Sequence, residues 1–134
     1  MSATATAVAG FAGWFILLTV ALATYRSALV LGGRKAANGF RSDGSDVGGL
    51  GQRLTRARDN VYENLPAFAA LAIAASMQGR LDVTDPLAHT VLWARIGQSL
   101  THIASISVPA IYVRFGFYLV QIAIWAWWAT RLIG

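Results

Sequence analysis

Four long, largely apolar stretches separated by short polar segments constrain this sequence more than any other feature. Only 13% of the 134 residues are charged, whereas 56% are hydrophobic. A soluble domain carries about 25% charged residues, and one of this size has too little interior to hide so many apolar side chains. A disordered chain requires the opposite composition, with few apolar residues and many charges. The composition therefore predicts an integral membrane protein.

The apolar stretches divide into helices of membrane-spanning length. A bilayer core about 30 Å thick takes roughly 20 residues of helix. Asp85-Pro86 predicts the start of the third helix, and Pro109 with Arg114 predicts the break before the fourth. The predicted fold class is all-α, a four-transmembrane-helix bundle in one domain over residues 1–134. Its predicted helices are about 5–31, 52–77, 86–108 and 112–132, with a polar loop at about 32–51.

The distribution of basic residues predicts the orientation of this multi-pass protein. Lys and Arg number 11 against 6 Asp and Glu, and seven of the basic residues fall between positions 26 and 58. Basic loops are retained in the cytoplasm. We therefore expect a cytoplasmic first loop and both termini on the opposite side. Because the basic residues cluster beside apolar spans, they indicate membrane topology, and nucleic acid is not an expected partner.

The composition disfavours disulfides, metal sites and one class of transporter. The chain has no cysteine and two histidines, which lie thirteen residues apart, so we predict no disulfide and no metal site. A small multidrug transporter would also be short with four spans, but its proton coupling typically needs an acidic residue in the first helix. Residues 5–25 contain no Asp or Glu, so the transporter interpretation is less favoured.

The second helix carries polar residues on one face. Arg56, Asn60 and Glu63 are spaced i, i+4 and i+7, which places them on the same side of a helix. Ionisable groups within spans cost about 2.5–3.5 kcal/mol each on insertion scales. Two explanations remain open at this point. The face recognises a polar, zwitterionic ligand, or it forms an inter-helix ion pair with Asn60 as a hydrogen-bonding contact.

The third helix has a similar polar row, formed by Arg95, Gln98, His102 and Ser105. Such a row must face the bundle interior or a cavity. At about 1.5 Å of rise per residue, several polar side chains fall at the same depth, near the cytoplasmic face. Convergence from separate helices favours a ligand site over isolated contacts. The converging residues are predicted to be Arg56, Asn60, Glu63, His102, Arg114 and Lys35.

The second-helix segment also resembles a known family. Arg56-Ala57-Arg58-Asp59-Asn60-Val61-Tyr62-Glu63 is similar to the RAxxNxxE signature of the MAPEG superfamily, the membrane-associated proteins of eicosanoid and glutathione metabolism. The resemblance extends over essentially the whole chain, through Ala94-Arg95-Ile96 in the third helix and Arg114 after a proline turn. The segment VPAIYVRFGFYL looks like bacterial members, which implies a bacterial inner membrane.

The resemblance implies a homotrimer that binds glutathione as a co-substrate between subunits near the cytoplasmic face. Arg114 would be the catalytic arginine that stabilises the glutathione thiolate. The thiolate would attack lipophilic electrophiles or peroxides that arrive from the membrane lipid. A catalytically silent lipid-binding or scaffold protein of the same fold is the alternative. The glutathione-binding residues would be Arg56, Asn60, Glu63 and Lys35, with Gln98 and His102 in place of the third-helix tyrosines of eukaryotic members.

Overall fold

The chain forms four α-helices in the computed structural model, which describes residues 2–42, 44 and 48–134. Those ranges contain no β-strand, so the predicted all-α fold with four helices is confirmed. Residues 43 and 45–47 of the predicted polar loop lie outside the described residues. The helices are α1 (Ala3–Leu31), α2 (Gly48–Met77), α3 (Leu81–Ala104) and α4 (Val108–Ile133).

Successive helices run in opposite directions, so the bundle has two distinct ends. At one end, Thr4 of α1 donates its backbone N–H to the Asp85 carboxylate of α3 at 2.9 Å. At the other end, Arg53 Nε of α2 donates to the backbone carbonyl of Ile103 in the last turn of α3 at 2.6 Å. We call the first the terminal end and the second the loop end, because it also carries the α1–α2 loop and the α3–α4 connection.

Aromatic rings from three helices meet in the core of the bundle. The Phe68 ring of α2 lies 5.2 Å from the ring of Phe11 in α1 and 5.9 Å from that of Trp128 in α4, measured between centroids. Helices α3 and α4 approach each other closely at Gly97. A Cβ atom at Gly97 would lie 2.8 Å from Cζ of Phe117, so only glycine leaves room for that ring at this crossing.

Two helices, α1 and α4, are long and apolar enough to cross a membrane among the described residues. Their outward faces carry large apolar side chains, such as Ile16 and Leu17, which are 59% and 56% exposed in the single chain. Contiguous apolar surface of this kind requires lipid or another subunit as its surroundings. Helices α2 and α3 contain more polar residues, and their crossing of the bilayer stays a prediction, as does the homotrimer.

The third helix begins earlier than the Asp85-Pro86 signal predicts. Gly79, at φ 66°, reverses the chain directly after α2, and the Val83 N–H already donates to the Arg80 carbonyl at 3.0 Å. The helix therefore starts at Leu81, with Pro86 in its second turn. Asp85 does not cap α3; its carboxylate instead accepts the otherwise unsatisfied N–H of Thr4 in the first turn of α1.

The break between α3 and α4 lies just before Pro109 and not after it. Ser107 is the N-cap of α4, and its side chain accepts a hydrogen bond from the Ala110 N–H. Pro109 then occupies the first turn of the helix, where its missing N–H leaves no bond unmade. As a result α4 begins at Val108, four residues before the predicted start. Arg114 lies in the second turn of α4, at the loop end.

Candidate functional site

Among the cavities at the loop end of the bundle, two share Asn60 as a lining residue. The α2 pocket has a volume of about 240 Å³ and the Arg114 cavity a volume of about 220 Å³. The α2 pocket is lined by Arg56, Asp59, Asn60, Glu63 and His102. The Arg114 cavity is lined by Asn60, Gln98, Ile111, Arg114, Phe115 and Tyr118. Together they bring polar side chains of α2, α3 and α4 to one end of the molecule.

The α2 pocket presents charges of both signs. Arg56 and Glu63 are exposed, and neither forms an ion pair or hydrogen bond with another described residue. Asp59 is paired with Arg58 at 2.7 Å. The alternative explanation for this helix face, an inter-helix ion pair within one chain, therefore has no support in the described ranges. A basic and an acidic group remain available for a ligand that carries both charges.

His102 closes the α2 pocket from the side of α3. The imidazole is 5% exposed and comes from the last turn of the helix. Its position depends on where α3 ends, and Arg53 of α2 holds that end through its hydrogen bond to the Ile103 carbonyl. A cation at the last carbonyls of a helix is also favourable for the helix dipole. Arg53 therefore stabilises the pocket without lining it.

The Arg114 cavity combines a cation with apolar walls. Arg114 is half-buried, and its Nε atom is buried without a described hydrogen-bond acceptor. Ile111 and Phe115, on the same side of α4, supply apolar surface beside the guanidinium. The residues of the described ranges that line the cavity include no acidic side chain. A buried N–H group without an acceptor is costly, so the cavity is suited to an anionic group that would accept the hydrogen bond of Arg114 Nε.

Lys35 lies apart from these two cavities in the single chain. Its Nζ atom donates to the Gly39 carbonyl at 2.9 Å and lies 5.6 Å from the centroid of the Phe40 ring. The structure thus brings six of the seven predicted site residues to the two cavities and places Lys35 on the first loop. The functional roles of all seven stay predictions.

Comparison with known proteins identifies the family of this chain. Residues 4–134 match the family model described as the MAPEG family. The chain belongs to the MAPEG family. Members of the family are glutathione-dependent transferases and peroxidases or related proteins. Neither the curated proteins nor the solved structures give a match. Family membership and two span-length apolar helices together indicate that this MAPEG chain is a membrane protein.

Two residues near the site of this MAPEG protein are not among the site residues predicted from the sequence. Tyr118 lines the Arg114 cavity, and Gln121 is fully buried beside it in hydrogen bonds to α3. A signal for both was present in the sequence. Arg114, Tyr118 and Gln121 have the spacing i, i+4 and i+7 on an otherwise apolar helix, the same pattern that identified the polar face of α2.

Proposed function

We propose that this MAPEG protein binds glutathione at the loop end and activates its thiolate toward lipophilic electrophiles or peroxides. The observation that carries the proposal is the pair of adjoining cavities, one with free charges of both signs and one with an unpartnered arginine. Glutathione has two carboxylates, an amine, amides and a thiol. Those groups match the charges of Arg56 and Glu63, the amide of Asn60 and the guanidinium of Arg114.

The chemistry assigned to Arg114 follows from the weak nucleophilicity of a neutral thiol. A guanidinium beside the sulfur favours the thiolate, which is the reactive form. In a transferase reaction the thiol proton leaves to solvent, and the sulfur forms a bond with the electrophilic carbon as the bond from that carbon to its leaving group, such as chloride, breaks. In a peroxidase reaction two glutathione molecules supply two electrons, and the products are glutathione disulfide, an alcohol and water. The apolar walls at Ile111 and Phe115 would accept the lipophilic reactant.

Isothermal calorimetry of reduced glutathione with the detergent-purified protein tests the binding step. We expect Arg56→Ala and Glu63→Gln each to weaken binding by about tenfold or more, because each loses a charge-assisted hydrogen bond. Arg80→Ala is the matched control, since Arg80 lies at the terminal end and its loss should leave affinity unchanged. Absence of heat at millimolar glutathione, from folded and trimeric protein, would instead favour the silent lipid-binding or scaffold alternative.

We propose a cytoplasmic loop end in a bacterial inner membrane, since the basic first loop lies there. The absence of native cysteine makes single-cysteine labelling clean. In intact cells, a membrane-impermeant maleimide should label Ser2→Cys at the terminal end but not Ala37→Cys in the loop. After lysis both variants should be labelled. Labelling of Ala37→Cys in intact cells would reverse the proposed orientation.

A further inference from the structure

Three buried side chains form a chain of hydrogen bonds that ends at the Arg114 cavity. Arg95 Nε donates to Gln121 Oε1 at 2.9 Å, and Gln121 Nε2 donates to Gln98 Oε1 at 2.9 Å. Arg95 and Gln121 are 0% exposed, and Gln98 is 5% exposed. Gln121 Nε2 also donates to the Phe117 carbonyl at 3.0 Å. The three residues come from α3 and α4 and cross the interface between those helices.

Arg95, the first member of this series of hydrogen bonds, fixes the orientation of the two glutamine amides. A guanidinium is a hydrogen-bond donor only, so the atom that Gln121 turns toward Arg95 must be its oxygen. The Gln121 nitrogen therefore faces Gln98, which must answer with its own oxygen. An isolated glutamine amide can rotate to exchange its oxygen and nitrogen. Here that rotation would place two donors, or two acceptors, against each other in a buried site, at a cost of about 1–3 kcal/mol.

In this orientation Gln98 uses its oxygen toward Gln121, so its Nε2 group is available as a donor to the Arg114 cavity. Gln98 lines that cavity, and its amide nitrogen has no acceptor among the described residues. Arg114 Nε in the same cavity is likewise without one. We propose that Arg95 and Gln121 are positioning residues that hold Gln98 as a hydrogen-bond donor to the anionic group bound beside Arg114. This inference rests on the proposed function, under which that group is the glutathione sulfur.

The position of Arg95 is unusual for a purely structural residue. Its Nη1 and Nη2 atoms are buried without a described acceptor, and its guanidinium lies 5.5 Å from the Phe11 ring. An aromatic face compensates a buried cation only in part. A neutral apolar residue would fill this space at lower cost. It would not impose a direction on Gln121, whereas a permanent donor does.

The substitution Gln121→Glu tests this assignment with nearly unchanged shape. The introduced carboxylate would still accept from Arg95, and the guanidinium favours its ionised form. An ionised carboxylate cannot donate to Gln98, so the Gln98 amide should rotate and turn its oxygen toward the cavity. We expect affinity for glutathione sulfonate, an anionic thiolate mimic, to fall about tenfold. Affinity for S-methylglutathione, whose sulfur carries no charge, should be essentially unchanged.

A double-mutant cycle distinguishes positioning from general damage. Gln98→Leu removes the donor itself and should cause a similar loss of glutathione sulfonate affinity. The double variant Gln98→Leu/Gln121→Glu should then be no weaker than Gln98→Leu alone, because Gln121 acts through Gln98. Additive losses in the double variant, or equal losses for the sulfonate and the S-methyl ligand, would overturn the assignment.

Amide resonances provide a readout that does not depend on glutathione. The chain has four glutamines, so [¹⁵N]glutamine labelling gives four side-chain amide pairs, and Gln98→Leu identifies one of them. The Gln98 pair should shift in Gln121→Glu without any ligand. An unshifted pair with normal wild-type binding overturns the positioning chain and leaves the proposed function standing. A shifted pair in a protein whose wild-type form binds neither ligand overturns the proposed function and supports the orientation.

Discussion

Replacement of Arg114 with alanine is expected to reduce glutathione conjugation at neutral pH by about tenfold to hundredfold. The free thiol has a pKa of about 8.5, and each unit by which a guanidinium lowers the thiol pKa raises the thiolate fraction at neutral pH about tenfold. Loss of the guanidinium raises the pKa of bound glutathione. The deficit should therefore be largest at neutral pH and should shrink as the pH rises through the pKa of the free thiol. The rate with chlorodinitrobenzene against pH measures both effects.

Two comparison variants separate the charge from other consequences of this substitution. Arg114→Lys retains a cation and should recover part of the rate at neutral pH. Arg131→Ala removes an exposed arginine at the other end of the same helix, where the guanidinium lies 5.5 Å from the Trp127 ring, and should leave the pH profile unchanged. Equal rates for wild type and Arg114→Ala at every pH would remove Arg114 from the mechanism.

The largest loss of stability is expected for Trp128→Ala. The side chain is 0% exposed and stacks on Phe68 at 5.9 Å between centroids. Truncation of a buried tryptophan leaves a large cavity and typically costs about 3–5 kcal/mol. The midpoint of thermal unfolding in detergent should fall accordingly. The predicted sign does not depend on any ligand, so this experiment tests the packing of the bundle on its own.

The neighbouring tryptophan supplies the control for this experiment. Trp127 is 54% exposed in the single chain, so Trp127→Ala removes the same atoms from the same helix without opening a core cavity. Its midpoint should change little in a detergent that covers the outer surface. If Trp127→Ala were as damaging as Trp128→Ala, the exposed face of α4 would be an interface between subunits.

The helices can be predicted from the sequence more reliably than their ends. Long apolar stretches specify helices because lipid leaves the backbone no other partner for its hydrogen bonds. Helix ends depend on individual turns. Pro86 and Pro109 are boundary signals in the sequence, but proline is also tolerated near a helix start. Tertiary contact decides the role of Asp85, whose carboxylate accepts from a residue eighty-one positions earlier in the chain.

The candidate site can be predicted only in part for a similar reason. The spacing of Arg56, Asn60 and Glu63 is a local property of one helix, and the structure does place them around one pocket. Which residue of another helix faces these three side chains depends on how the helices pack, and this is not a local property of the sequence. The spacing within α4 indicates that Gln121 is part of a polar face, but its role depends on its hydrogen bonds to α3, which that spacing does not specify. Lys35 is grouped with the site by depth and by the family resemblance, and neither specifies direction around the bundle of a single chain.

The packing of the helices also determines where the Arg114 cavity can widen. Helix α4 packs chiefly on α3 and makes only a small contact with α2, while Arg53 ties α2 to the end of α3. The Arg114 cavity lies where α2 faces α4, with Asn60 on one wall and Arg114 on the other. Widening of the Arg114 cavity between α2 and α4 would break few contacts between helices. Under the proposed function, we therefore expect a bulky acceptor to be accommodated there at low cost, so that varied hydrophobic reactants are tolerated and no single shape is selected.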